Sequence, residues 1–445
     1  MPDLLDIAQA AVQAAMSSGA EWADAAVTSG RSVGVMVENS SLTECEVVRD
    51  CGIGVRAFHR GGMGSSTTTM LDEASARQTG EQSAAMAKAT HGDPDFVALP
   101  APAKFDEVPG RWDDAVAGLP ADQVVQWCQM AIEEAKDVAG DVALSGGAGL
   151  DCTQRALASS TGVAVASRGT NVSASFFAVV ARQDDVGSYF EYDAARQLTQ
   201  FEPEGIGRKA TLEALRFMGA RHIESGRMAI LLGPMAVCSM LSATISAANA
   251  EGVQRNRSFM IGKEGLSIAA EGLTVREEPF VPAGLSSAAV DGEGVPKKAR
   301  ALIDHGVLTT YLHNSYTANK AKVENTAHAV RGGSSPSVSI GTANLQVDRG
   351  GLTEAELIAQ IDDGLYISYG GLEPDSSTGD VSATVDFGFR IQNGELVYPV
   401  KTTMIGSNIF ELLQAIDAVS SDYREEPGII VPSLRIGDVM VIGGA

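Results

Sequence analysis

The first residues place Leu4, Leu5, Ala8, Ala11, Val12 and Ala15 at intervals of three and four, which predicts a helix over 3–17. The period then changes to two. The runs ADAAVTS (23–29), SVGVMVEN (32–39), LTECEVVRD (42–50), GIGVRAFHR (52–60) and GGMGSSTTT (61–69) alternate, with Gly, Asn and Asp between them, and predict a meander of short strands. Helical spacing returns near 71–89. The segment 91–110 carries four prolines and no period, which marks a long connection.

A helix near 120–138 leads into a second strand-rich stretch. Four or five antiparallel strands are expected there, with turns at Gly146-Gly147, Thr161-Gly162 and Asp184-Asp185. A closing helix at 205–220 has Leu212, Leu215 and Phe217 among its apolar positions. Beyond it, GRMAILLGP is a continuous apolar strand that feeds a helix in SMLSATISAANAEG (239–252), where Met240, Leu241, Thr244, Ile245 and Ala248 share a face. The remainder reads as strands and turns, with short helices near 353–363 and 407–418 and tight turns at Asp304-His305-Gly306 and Asn393-Gly394. A boundary near 221 separates residues 1–220, a mixed α/β sandwich-like domain, from 221–445, a β-rich domain with mostly antiparallel or mixed sheets. Strands and helices lack the rhythm of βαβ units, so the class is α+β.

Composition narrows the function classes. No run of about 18 apolar residues exists, which argues against a membrane span. Asp3 and Asp6 stand where a secretory leader would be basic, so a cytoplasmic location is expected. The net charge of -23, spread over both halves, leaves no basic stripe for a nucleic-acid backbone. The five cysteines form no CxxC pair and read as reduced thiols, with Cys45 and Cys51 as small core residues. None of the six histidines belongs to an HExxH pair, and no G-x-S-x-G elbow is present. The glycine clusters at 52–64 and 364–371 lack dinucleotide register and read as hairpin turns. His328 lies in a loop beside Arg331, within reach of a ligand.

Two blocks are more distinctive. The first runs Asp291-Gly-Glu293-Gly294-Val-Pro296, then Leu302-Ile303-x-x-Gly306-x-Leu308, then Tyr316-Thr317-Ala318-x-Lys320. The second runs Thr378-Gly379-Asp380, then Gly388-x-x-Ile391-x-Asn393-Gly394-Glu395-Leu396, then Pro399-Val400-Lys401 and Gly406-Ser407-Asn408. Together with GIGVRAF near the start and LRIGDVMVIGG at the end, they resemble the TldD/PmbA family, also called modulators of DNA gyrase, over nearly the whole chain.

In that family the TldD branch carries HExxxH on the first helix of its C-terminal domain and a further Cys ligand near the C-terminus, which together hold a catalytic zinc. The matching window here, CSMLSATISAANA, contains neither His nor Glu, and no Cys follows Cys238. The chain is therefore similar to the PmbA/TldE branch. The resemblance implies no catalytic or metal-ligating residue and no cofactor in this chain, with zinc supplied by a TldD-like partner in a cytoplasmic peptidase complex. It implies dimers, with that partner or with itself, around a cavity where an extended or unfolded peptide adds as a β-strand, as in leader-peptide removal. Asp291, Glu293, Gly294, His328, Arg331, Gly332, Gly333, Thr378 and Gly379 are the expected peptide-contacting residues. The ligand-free helix is expected to be structural. Alternatives are a non-catalytic homodimeric peptide-binding or regulatory protein, a subunit of a biosynthetic complex acting on other amide-type bonds, and a hydrolase using His328 or Ser334.

Overall fold

A computed structural model of the protein describes residues 3–426 and 428–444. In the first half, α1 (Leu4–Ser17) precedes β1 (Trp22–Glu38), β2 (Ser41–His59), β3 (Gly62–Thr68) and α2 (Glu73–Ala89). After an irregular connection come α3 (Asp114–Ala117), α4 (Ala121–Val138), β4 (Ala143–Ser159), β5 (Ala164–Arg182), β6 (Asp185–Ala195) and α5 (Ile206–Arg216). The strands form one antiparallel sheet in the order β3-β2-β1-β4-β5-β6. Helix, three strands, helix thus occurs twice, and the two units join through β1 and β4.

Alternation on β1 decides which face is covered. Ala23, Ala25 and Val27 pack under α1 and α2, while Val33, Val35 and Val37 pack under α4. The opposite face carries Asp24, Thr28, Gly30 and Ser32, and no helix of this half covers it. Asp3 caps α1 by accepting from the Leu5 amide at 2.8 Å, and Asp72 caps α2 by accepting from Ser75 at 2.8 Å.

The second half contains β7 (Gly226–Leu232), α6 (Pro234–Ser246), α7 (Ala250–Gln254), β8 (Val275–Glu277), β9 (Arg300–Asp304), β10 (Val307–Leu308), α8 (Ser315–Ala321), β11 (Ala329–Val330), β12 (Ser339–Ile340) and β13 (Leu345–Val347). It continues with α9 (Glu354–Ala359), β14 (Asp363–Gly370), β15 (Asp380–Gln392), β16 (Glu395–Pro399), β17 (Met404–Asn408), α10 (Ile409–Gln414), β18 (Ile416–Glu426) and β19 (Ile429–Ile442). Strands β7, β14, β15, β17 and β19 pair in a closed ring, because β19 returns to β7. Closure removes two exposed sheet edges. Only β14/β7 and β13/β19 are parallel, so this mixed sheet and the antiparallel one make an α+β fold.

Helix α6 packs against β14, β18 and β19. Met240, Leu241 and Ile245 are fully buried there, each stabilising the fold by about 1.5–3 kcal/mol. Its other side, with Cys238, Ser239, Ser242 and Ala243, is half-buried.

Several expectations need correction. The five short strands predicted over 23–69 are three, because β1 and β2 run unbroken through Gly30 and Gly52. The four or five strands expected over 141–195 are also three. Gly146-Gly147 lies inside β4, where a Cβ at either position would meet backbone of β5 or β1. Of the glycine clusters, Gly52, Gly54, Gly364 and Gly370 are strand residues, and only Gly61, next to Gly62, is in a hairpin turn. Cys45 is exposed and Cys51 only half-buried, so neither is a core residue. The two late helices span only 354–359 and 409–414. The turns at His305-Gly306 and Asn393-Gly394 do form, each with both residues at positive φ.

Candidate functional site

The uncovered face of the first sheet is met by loops of the second half, and charged side chains lie at the junction. Asp24 on β1 and Arg56 on β2 are register partners. Arg56 Nε donates to the Asp24 carboxylate at 3.1 and 3.2 Å, and its Nη2 donates to Glu293 Oε1 at 3.1 Å. Arg331 Nη2 donates to both Asp24 oxygens at 3.0 and 3.1 Å, while the other Glu293 oxygen accepts from the Ser315 amide at 2.9 Å. All four side chains are buried. Burial would raise the Asp24 carboxyl, but Arg331 and Arg56 outweigh it and hold it at about 2.

A second cluster adjoins the first. Glu277 Oε1 accepts from the Ala343 amide at 2.6 Å and lies 3.4 Å from Lys297 Nζ. His328 Nε2 stands 2.9 Å from Glu277 Oε2, close in distance but outside the geometry of an aligned hydrogen bond. Burial opposes the Glu277 charge, yet His328 and Lys297 bring its carboxyl down to about 2. Burial in turn lowers the His328 imidazole below its usual value. Asp291 accepts from the amides of Glu293, Val295 and Ala329 at 2.9–3.1 Å. Burial first, and the neighbouring Glu293 charge second, push it up to about 6.

The loop after Arg331 lies directly on β2. A Cβ at Gly54 would fall 1.7 Å from the Ser334 carbonyl oxygen, and one at Gly52 would fall 2.3 Å from Ser334 Oγ. These glycines therefore serve close approach between the halves. Gly333 adopts φ 58°, with its Cβ position 3.9 Å from Thr28 Oγ1, and a Cβ at Gly332 would point into open space. Gly294, at φ 84°, lies against Val163.

The nine expected contact residues thus separate. Asp291, Glu293, His328 and Arg331 are buried; Glu293 and Arg331 bond first-half side chains across the junction, while Asp291 and His328 bond within the second half. Gly294, Gly332 and Gly333 border it. Thr378 and Gly379 lie elsewhere, in a turn where Asn408 Nδ2 donates to the Thr378 carbonyl at 3.3 Å and the Ile409 amide donates to the Gly379 carbonyl at 2.8 Å. That turn is how the Thr378-Gly379-Asp380 and Gly406-Ser407-Asn408 motifs meet in space.

Sequence reasoning missed Asp24, Arg56, Glu277 and Lys297. For Asp24, Arg56 and Glu277 the available signal was charge inside otherwise apolar strands, because such charges remain buried only when paired; Lys297 lies outside any strand and carried no such signal.

Among the described residues, no three His, Cys, Asp or Glu side chains converge so as to hold a metal ion. On α6 the half-exposed side offers one thiol, hydroxyls and a methyl group. This donor set does not fit zinc, which takes at least three imidazole, thiolate or carboxylate ligands. Among the described residues, no helix is long and apolar enough to cross a membrane.

Comparison with known proteins agrees with the motifs. Residues 225–443 match the family model of the PmbA/TldA metallopeptidase C-terminal domain, 23–87 match domain 1, and 115–217 match the central domain. A "Metalloprotease" of Methanothermobacter thermautotrophicus is 33% identical over 50% of this chain and 49% of its own length. "Metalloprotease PmbA" of Escherichia coli O157:H7 is 22% identical over 96% of this chain and 93% of its own. The crystal structure of TldE from Thermococcus kodakarensis shares the fold, with a TM-score of 0.90 and 23% identity over 97% of this chain and 99% of that one. With three successive domain models matched along most of its length, the chain belongs to the PmbA/TldD metallopeptidase family.

Proposed function

We propose that this chain is the metal-free, TldE/PmbA-like subunit of a cytoplasmic zinc peptidase complex, in which a TldD-like partner supplies the metal and this chain shapes the cavity and holds an extended or unfolded peptide. The observation that carries the reading is helix α6. It occupies the position where the resemblance requires HExxxH, and it presents Cys238, Ser239, Ser242 and Ala243 outward while burying Met240, Leu241, Thr244 and Ile245. No step of bond cleavage is routed through this chain. Its contribution is surface: the uncovered sheet face with Gly30, Ser32 and Thr153, and the loop at Gly332 and Gly333. Small side chains there let a peptide backbone come close.

Native mass analysis with metal determination tests the reading. The chain co-expressed with a TldD-like partner should form a heteromeric complex containing zinc and cleaving an unstructured peptide, while the chain alone binds no zinc that resists dialysis. About one zinc per isolated chain would overturn the branch assignment. A stable metal-free homodimer that captures peptides, and ignores a TldD-like chain, would favour the binding or regulatory alternative.

A further inference from the structure

Three arginines meet on the uncovered sheet face. Arg155 on β4 stands in one cross-strand row with Thr28 and Ser167. The next row is Gly30, Thr153 and Gly169, and Arg196 Nη1 sits 3.0 Å from where a Gly169 Cβ would be. Arg111 enters beside β5, its carbonyl accepting from the Thr170 amide at 3.0 Å. The cluster adjoins the loop at Gly333, since Thr28 is a neighbour of both.

The chain carries 56 acids against 33 bases, yet among the described residues no carboxylate forms an ion pair with Arg111, Arg155 or Arg196. Arg196 is held by carbonyls: Nε by Gly284 at 2.8 Å, Nη1 by Thr170 at 3.3 Å, and Nη2 by Leu285. Arg111 Nε is buried and has no partner. Burial, and then the charges of its two neighbours, lower Arg196 to about 10, so the groups do repel. Arg111 and Arg196 are half-buried beside the exposed Arg155, and like charges crowded there without a counter-ion are relieved when an anion from outside joins them.

We propose that Arg111, Arg155 and Arg196 form a carboxylate-binding subsite on the sheet face, taking the C-terminal carboxylate or an acidic side chain of a bound peptide. The choice of a peptide as the ligand rests on the function proposed above. Planar guanidinium groups recognise carboxylates through paired, charge-assisted hydrogen bonds, and Arg196, already fixed by carbonyls, acts as a positioning residue. An acidic peptide would otherwise be repelled by a chain of net charge -23, so the subsite also gives it a fixed register.

Isothermal titration of the full chain with an N-acetylated decapeptide of Gly, Ala and Ser with one central Glu tests this. Two further peptides carry a C-terminal amide or Gln in place of Glu. Removing the recognised carboxylate should weaken binding about tenfold, as expected for a charge-assisted hydrogen bond, and which peptide weakens identifies the source. In Arg155→Gln, whose side chain is exposed and whose unfolding midpoint should match the parent, that difference should vanish. Equal binding of all three peptides and of a fourth that lacks both carboxylates sinks the subsite and leaves the peptide reading standing. If no peptide binds, the peptide reading fails, and inorganic phosphate decides the rest. Line broadening of its phosphorus resonance that Arg155→Gln removes keeps an anion site, and no broadening discards it.

Discussion

Among the places where the halves of this molecule meet, two use opposite chemistry. At one, Tyr189, Phe190 and Phe217 of the first half pack against Tyr369, Phe387 and Phe389 of the second, with ring centroids 4.8–6.0 Å apart. At the other, Asp24, Arg56, Arg331 and Glu293 exchange charged hydrogen bonds across the same boundary. The aromatic junction depends on area and shape, so losing part of it should cost in proportion to what is removed. The ionic junction depends on completeness. Its intact net contribution is small because desolvation offsets attraction, but removing one member leaves the others buried and unpaired.

That difference ranks the expected losses. Asp24→Ala should destabilise the protein most, by about 3–5 kcal/mol, because two buried guanidinium groups lose their shared partner. Phe387→Ala should cost about 3 kcal/mol, from lost burial and the cavity left among four aromatic neighbours. Urea unfolding followed by tryptophan fluorescence checks both. An Asp24→Ala loss below that of Phe387→Ala would reverse the ranking and mean that water enters the ionic junction.

The two junctions were unequally legible in the sequence. Much of the aromatic one follows from patterning, because Phe387 and Phe389 belong to an alternating strand that is bound to bury one face. The ionic one joins Asp24 to an arginine 307 residues away, and no local period carries that information. The same limit explains the glycines. Gly52 and Gly54 look like turn residues until Ser334 is seen against them. Helix α6 was legible in what it lacks, since the absence of His and Glu is a matter of identity. Its half-buried second side depends on tertiary packing, and so does the crowding of Arg111, Arg155 and Arg196, which come from three separate segments.

Acidity should distinguish the junctions further. Asp24 is held at about 2 against an ordinary 3.8, so its share of stability is complete above about pH 4 and is lost as pH falls toward 2. That share is roughly 2 kcal/mol, and Glu277, also held at about 2, adds to the same limb. Asp291 works with the opposite sign. Raised to about 6, it stays protonated in the folded chain after the unfolded chain has ionised, so stability declines as pH rises from about 4 to 6. The gap between the parent and Asp24→Asn should therefore narrow below pH 4, and Asp291→Asn should flatten the decline above it. For Phe387→Ala the gap to the parent should stay constant across both windows. A Phe387→Ala gap that tracked pH would show the junctions to be coupled.

The smallest effect expected is the control that isolates burial from charge. Arg182 and Asp141 form the same kind of pair as Arg56 and Asp24, with two hydrogen bonds of 2.8 and 3.0 Å between guanidinium and carboxylate. Both side chains, however, are 47% exposed, against 8% and 4% for Arg56 and Asp24. In water the attraction is screened, and either partner is resolvated when the other is removed. Asp141→Ala should therefore leave the urea midpoint unmoved at physiological salt, although the bonding geometry lost is as good as that at Asp24. Raising the salt concentration should then make no further difference between parent and variant. A midpoint shift comparable to that of Asp24→Ala would mean that charge pairing itself, rather than its burial between the two halves, sets the cost of breaking the ionic junction.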